Sequence, residues 1–268
     1  MTAATLLAPV LPMASGNGFT PPGPRDFELP PIFGDVTKPM VLIVLSTVLI
    51  FAVTYAMARK AAVVPGRLQF AGEFAYGAVR NSIARDNIGS EHFVKFVPYL
   101  FSLFAFVLVN NYFGLIPLLQ FPSFSRAGMA YGLAALTWLL YNGVGIWKHG
   151  FLGYLKHTCI PAGVSGIMLL LIVPLEFFSN ILVRPVTLAL RLFANMFAGH
   201  LLLILFALGG EYLLFEASSS VMNIFGGVMS FVMFFGISTL ELLVMFLQAY
   251  VFTLLTAMYV GGALADEH

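Results

Sequence analysis

Two apolar stretches set the terms for any fold this chain can adopt. Residues 164–208 and 218–263 would each be about 65 Å long as one helix, against a hydrocarbon core of about 30 Å. The second stretch holds a single charged residue, Glu241, and the first holds Glu176, Arg184 and Arg191 together with His200. Each stretch either breaks into two spans or continues as one strongly inclined helix. A break requires a polar turn at mid-length. Pro174 and Pro185 can kink the first stretch, and Gly226, Gly227 and Gly236 can bend the second, but neither contains a loop-like cluster. The expectation is a hairpin of two long, steeply tilted helices, split by Gly209-Gly210-Glu211 and Glu216, with four ordinary spans as the alternative.

The rest of the chain agrees with a membrane setting. Sixty per cent of the 268 residues are hydrophobic and 9% are charged, where soluble domains carry about 25% charged residues. The fold class is therefore an all-α polytopic membrane protein with about three ordinary crossings, a surface helix and the hairpin. A net charge of +1 gives no case for a nucleic-acid partner, and a single cysteine, Cys159, excludes an intrachain disulfide or a cysteine-cluster metal site. Residues 1–18 lack a basic leading segment, so a cleaved signal peptide is not expected. Pro21, Pro22, Pro24, Pro30 and Pro31 make 1–37 an extended arm.

Within 38–161, residues 39–58 form a first crossing closed by Arg59 and Lys60. Residues 67–90 mix Phe70, Phe74, Ile83 and Ile88 with Arg67, Glu73, Arg80, Arg85 and Asp86, the pattern of a helix lying on a membrane surface. Residues 95–119 are the second crossing, 121–126 a short loop, and 131–147 the third crossing, whose Trp138, Tyr141 and Trp147 suit packing or an interfacial belt. Gly143 and Gly145 have no preceding strand and are no phosphate loop. Residues 148–161 read as a polar connector, and 162–268 carry the hairpin. With the N-terminus outside, Arg25, Lys38 and Arg126 fall outside, whereas Arg59, Lys60, Arg67, Arg80, Arg85, Lys95, Lys148 and Lys156 fall inside.

The charges inside the hairpin call for a function. An arginine at the bilayer centre costs about 2.5–3.5 kcal/mol on insertion scales. At about 100° per residue, Asn180, Arg184, Thr187, Arg191 and Asn195 fall within roughly 40° of one line, and His200 faces the opposite way. Glu241, Gln248 and Tyr259 share a line on the last helix. Antiparallel pairing about Gly209-Gly210 sets His200 level with the early part of the second helix, so that it can meet Glu241 on one side while Gln248 sits near Arg191. Each residue also has a purely structural reading: Arg184 snorkels to an interface, Asn195 and Gln248 bond helices together, and His200 is a satisfied core histidine. Met222, Met229, Met233 and the glycines read as packing residues. Arg191 resists such a reading. Glu176 and Glu241 are the deep carboxylates and neither lies squarely on its face, so its natural counter-charge comes from another subunit.

Arg191-Leu192-Phe193-Ala194-Asn195-Met196-Phe197-Ala198-Gly199-His200, preceded by Arg184-Pro185-Val186-Thr187-Leu188, resembles the signature of subunit a of the F-type ATP synthases. Leu247-Gln248-Ala249-Tyr250-Val251-Phe252 with Leu255-Thr256 and Tyr259 is similar to that family's last helix, and Asn111-Tyr112-Phe113-Gly114-Leu115-Ile116-Pro117 to its earlier crossing. The resemblance spans residues 93 to the C-terminus. It implies that Arg191 is the stator arginine facing the carboxylates of a rotating ring of c subunits, with Asn195 and Gln248 as polar neighbours. It implies that His200 and Glu241 line the outer proton half-channel, that Glu176 lines the inner one, and that Tyr259 belongs to the same path. Family members differ in which of the two outer positions holds the histidine. Ala194 stands where a glycine is common, and Glu176 is one residue out of the family's spacing to Pro185.

The resemblance also implies partners: the c-ring, peripheral-stalk b subunits, other ATP synthase subunits and the bilayer. No cofactor or metal is expected, and no nucleotide site belongs to this chain, which is no enzyme by itself. The implied location is an energy-transducing membrane, the bacterial plasma membrane ahead of the mitochondrial inner membrane. The rival class is a secondary transporter or ion exchanger that binds an anionic substrate at Arg191. A respiratory pump subunit would want a mid-membrane lysine and a haem protein a second deep histidine, and neither is found.

Overall fold

In the computed structural model, residues 36–59, 65–116, 121–160, 168–217 and 220–265 are described, with 19, 21–23 and 34 ahead of them. Most of the arm expected over 1–37, residue 60, the stretch 117–120, and Pro161 at the end of the expected connector lie outside the described residues. The elements are α1 (Lys38–Arg59), α2 (Arg67–Ala78, continued by a π-helical turn Val79–Arg85 and by Asp86–Ile88), α3 (Phe93–Tyr112), α4 (Ala127–His149), α5 (Phe151–Cys159), α6 (Met168–Glu216) and α7 (Val221–Leu264). Regular structure among the described residues is helical, and α1, α3, α4, α6 and α7 are long and apolar enough to cross a membrane. The chain is an all-α polytopic membrane protein ending in a long helical hairpin.

The two long apolar stretches do not break. α7 runs 44 residues through Gly226, Gly227 and Gly236, because glycine in a membrane helix leaves the backbone ladder intact. α6 runs 49 residues and absorbs its prolines by local π geometry over Phe178–Val183. Pro185 has no N–H, so the carbonyls it would engage, Ile181 in α register and Asn180 in π register, need other donors. Trp138 Nε1 donates to Ile181 O at 3.0 Å and Tyr141 Oη to Asn180 O at 3.2 Å. Two aromatic residues of α4 thereby complete the backbone of α6.

The chain folds as two compact units, and α1, α3, α6 and α7 lend residues to both. The first unit comprises Met1–Val48, Leu108–Arg126 and Phe193–Gln248. In it α6 and α7 run antiparallel: Ser230 Oγ donates to Phe206 O at 2.7 Å, and a Cβ at Gly210 would come within 3.1 Å of the Phe231 ring. The turn is not at Gly209-Gly210, as the sequence suggested. α6 continues through both glycines to Glu216, and the chain reverses before Val221. The glycines serve close approach instead, as small residues do between membrane helices. Leu42, Phe113 and Phe121 form a core cluster, and the short loop at Phe121–Ser125 is buried beside it, with Phe124 at 1% exposure.

The second unit comprises Leu49–Val107, Ala127–Leu192 and Ala249–His268. Tyr141, Val260 and Leu264 form its core cluster, and Gly261 packs directly on the Asn87 carbonyl, leaving no room for a Cβ. The connector expected over 148–161 is mostly the helix α5. Gly150, at φ 73°, ends α4 with its N–H on Ile146 O and starts α5 at once. Lys148 Nζ donates to the terminal carbonyl of Leu264, a basic group at the negative end of α7. In α2, Phe70 and Phe74 are exposed while Val79 and Ile83 are buried. Met222, Met229 and Met233 are exposed rather than packed inside the chain, and so is Trp147.

Candidate functional site

In the first unit α6 delivers His200 and α7 delivers Glu241. His200 is 5% exposed and Glu241 3%, and Nδ1 of the imidazole lies 2.8 Å from Oε1 of the carboxylate. The contact is close without being a well-aligned hydrogen bond, so both ring nitrogens and both carboxylate oxygens keep unused hydrogen-bonding capacity among the described residues. A proton on Nδ1 is within reach of Oε1, so the pair can pass one between them. The partners meet near the middle of α7 rather than at its early part, because the turn lies further along than Gly209-Gly210.

Two glycines make room for this pair. A Cβ at Gly199 would stand 2.6 Å from Oε1 of Glu241, and one at Gly114 would collide with Nε2 and Cε1 of His200. Asn111, fully buried, donates from Nδ2 to Met245 O at 3.2 Å, one turn along α7 from Glu241, and its Oδ1 is left without a partner among the described residues. Asn110 donates to Ser46 Oγ at 2.8 Å. Asn195 donates to Oε1 of buried Gln248 at 2.9 Å. Among the described residues, buried His200, Glu241, Asn111 and Gln248 each keep a side-chain N or O atom without a hydrogen-bond partner, a costly arrangement in an apolar interior.

The second unit holds the remaining polar residues. Asn180, 5% exposed, donates to Oε2 of Glu176 at 3.0 Å and to Thr158 O at 2.9 Å. The guanidinium of Arg184 sits 5.1 Å from the centre of the Tyr259 ring, a cation–π contact, and Tyr259 packs on Tyr141 at 5.4 Å between ring centres. Arg184 is thus held within its own unit. Beside this group the Tyr154 hydroxyl donates to Asn142 Oδ1 at 3.0 Å, and burial pushes it above its ordinary range, with the charge of Arg184 working the other way.

Arg191 stands apart. It is half-buried beside buried Leu192, and forms no ion pair among the described residues. Glu241 is engaged by His200 and Glu176 by Asn180. Gln248, expected near Arg191, binds Asn195, which lies one helical turn along α6 from Arg191.

Gly114, Gly199, Trp138 and Tyr141 were not singled out for these positions by the sequence. The one usable signal was Pro185, which frees carbonyls that some donor must take.

A family model described as the ATP synthase A chain matches residues 40–261. The chain is 58% identical to an ATP synthase subunit a from a Nocardioides strain, over 98% of this chain and all of the relative. It is 47% identical to ATP synthase subunit a of Pseudarthrobacter chlorophenolicus, over 98% of this chain and all of the relative. A third relative, from Streptomyces lividans, is 40% identical over 94% of this chain and 90% of its own length. These matches set aside the secondary transporter as a description of the chain. Five helices among the described residues long and apolar enough to cross a bilayer, a hairpin carrying buried charge and near-full-length similarity meet in one conclusion: the chain belongs to the ATP synthase subunit a family.

Proposed function

We propose that the chain is the proton-conducting stator subunit of the ATP synthase membrane sector, with Arg191 facing the carboxylates of a rotating c-ring. The observation that supports this reading is the distribution of acids. Both deep carboxylates are engaged elsewhere while Arg191 has no acidic partner among the described residues. A guanidinium in hydrocarbon needs a counter-charge, and a neighbouring subunit supplies it.

A proton enters from the outer side through His200 and Glu241 and neutralises a ring carboxylate, which then turns into lipid. After nearly a full rotation the carboxylate releases its proton to the inner side through the route containing Glu176. Arg191 favours the ionised carboxylate by about 4 kcal/mol at ~4 Å and an effective dielectric near 20. That equals about three pKa units on the ring acid, enough to drive release. The same positive charge bars a proton from crossing directly between the two routes. Asn195, held by Gln248, is one helical turn from Arg191 in sequence and adds no charge that competes with it. The driving force is about 2.3 kcal/mol per proton per 100 mV.

α7, about 65 Å long, exceeds the ~30 Å hydrocarbon core and so inclines strongly, lying along a curved ring wall instead of crossing it. α2 lies on the membrane surface with Phe70 and Phe74 toward lipid. Peripheral-stalk b subunits hold the stator still against the ring. The bacterial sources of the relatives favour the bacterial plasma membrane.

The test is Arg191→Ala in membranes carrying the assembled enzyme. Proton-coupled ATP synthesis should be lost while passive proton conduction through the membrane sector persists. Coupled synthesis at the normal rate in that variant refutes the mechanism.

A further inference from the structure

We infer that Gly114 is a positioning residue for His200: the missing side chain at this turn is what lets the imidazole lie against Glu241. The inference rests on the reading of His200 as a proton carrier. The ring is confined on two edges. Nδ1 meets Glu241 at 2.8 Å, and on the far edge Nε2 and Cε1 occupy the space a Cβ at Gly114 would need. A Cβ there would overlap Nε2, would stand 2.5 Å from Cε1, and would come within 3.1 Å of Pro122 Cβ in the buried loop that follows.

The need for glycine is not a backbone need. Gly114 closes the turn after α3 with its N–H on Asn111 O at 3.1 Å, and it is not among the positive-φ glycines, Gly34, Gly89 and Gly150. Alanine is therefore allowed by the main chain at this position and forbidden only by the imidazole. His200 is itself buried at 5% exposure, so its ring has little free space to retreat into. A ring displaced by a methyl group moves off Oε1 of Glu241, and proton transfer falls steeply with donor–acceptor separation.

The contact joins positions 86 residues apart in sequence, on α6 and on the turn after α3. The two atoms nearest to a would-be Cβ at Gly114 both belong to His200, so Gly114 acts through that ring.

The experiment compares Gly114→Ala, His200→Ala, the double variant and Gly132→Ala in the assembled membrane sector. Gly132 is open to a Cβ, with nothing within 4 Å, and serves as the control. Passive proton flux is driven by a potassium diffusion potential in vesicles stripped of the soluble sector, and measured between pH 6 and pH 9. Gly114→Ala should cut flux by on the order of tenfold to a hundredfold, the loss expected for a misplacement of about 1 Å, and flatten its pH profile as His200→Ala does. The double variant should be no worse than His200→Ala alone, and Gly132→Ala should match the parent. If Gly114→Ala fails to accumulate, removing the colliding ring in the double variant should restore assembly.

Flux and pH profile unchanged in Gly114→Ala, with His200→Ala impaired, overturns the inference and leaves the function standing. So does a Gly114→Ala assembly defect that His200→Ala does not relieve. Unchanged flux in His200→Ala removes His200 from the path and the inference with it.

Discussion

The two polar centres of the chain are built on opposite plans. In the first unit, His200 and Glu241 are more than nine-tenths buried, touch at 2.8 Å and keep unused lone pairs and N–H groups. In the second, Glu176 and Arg184 are only half-buried, and each is matched by a neutral partner: Asn180 for the acid, the Tyr259 ring for the guanidinium. An unsatisfied buried pair is expensive to keep, which suits the role proposed for this one, taking up and releasing a proton. Half-buried charges matched by neutral partners hold geometry at lower cost than a buried ion pair, although buried Asn180 still leaves its Oδ1 without a partner among the described residues. On the proposed function the first centre carries the chemistry and the second supports it, with Glu176 as its proposed contributor to the proton route.

Three substitutions sharpen or break this contrast. Glu241→Gln keeps the shape of the side chain and removes its proton affinity, so passive proton flux should fall by about tenfold to a hundredfold while the subunit still assembles. Unchanged flux would remove Glu241 from the path and erase the distinction between the centres. Glu176→Gln should lower ATP-driven proton pumping only by a few-fold, because an amide oxygen still accepts the Asn180 hydrogen bond. A loss as large as that of Glu241→Gln would make the second centre an equal partner. Tyr259→Phe should change pumping by less than about twofold, since the ring face that meets Arg184 remains. A larger loss would show that the hydroxyl carries function.

The sequence disclosed the helices and most of the polar set, and it misplaced the joints. The absence of a polar cluster within 164–208 and 218–263 foretold two unbroken helices, as found in α6 and α7. The glycine pair at 209–210 resembled a turn, yet in a membrane helix glycine is tolerated inside the ladder and used for close packing, here under Phe231 and Ser230. The reversal falls instead after Glu216. The connector after Lys148 turned out to be α5, since a single left-handed glycine, Gly150, suffices to end one helix and begin the next. Helical periodicity placed His200 and Glu241 on faces able to meet, but it says nothing of what a third element brings. Gly114 and the carbonyl-capping Trp138 and Tyr141 belong to that third kind of information, which spacing along one helix does not contain.

On the proposed function, the charge opposite Arg191 lies outside this chain. The direct measurement is the distance from its guanidinium to the nearest carboxylate in a structure of the assembled membrane sector. The expected result is a carboxylate of a neighbouring ring subunit at about 4 Å or a single water beyond it, with Glu176 and Glu241 still engaged by Asn180 and His200. A permanent ion pair between Arg191 and either of those two glutamates would contradict it.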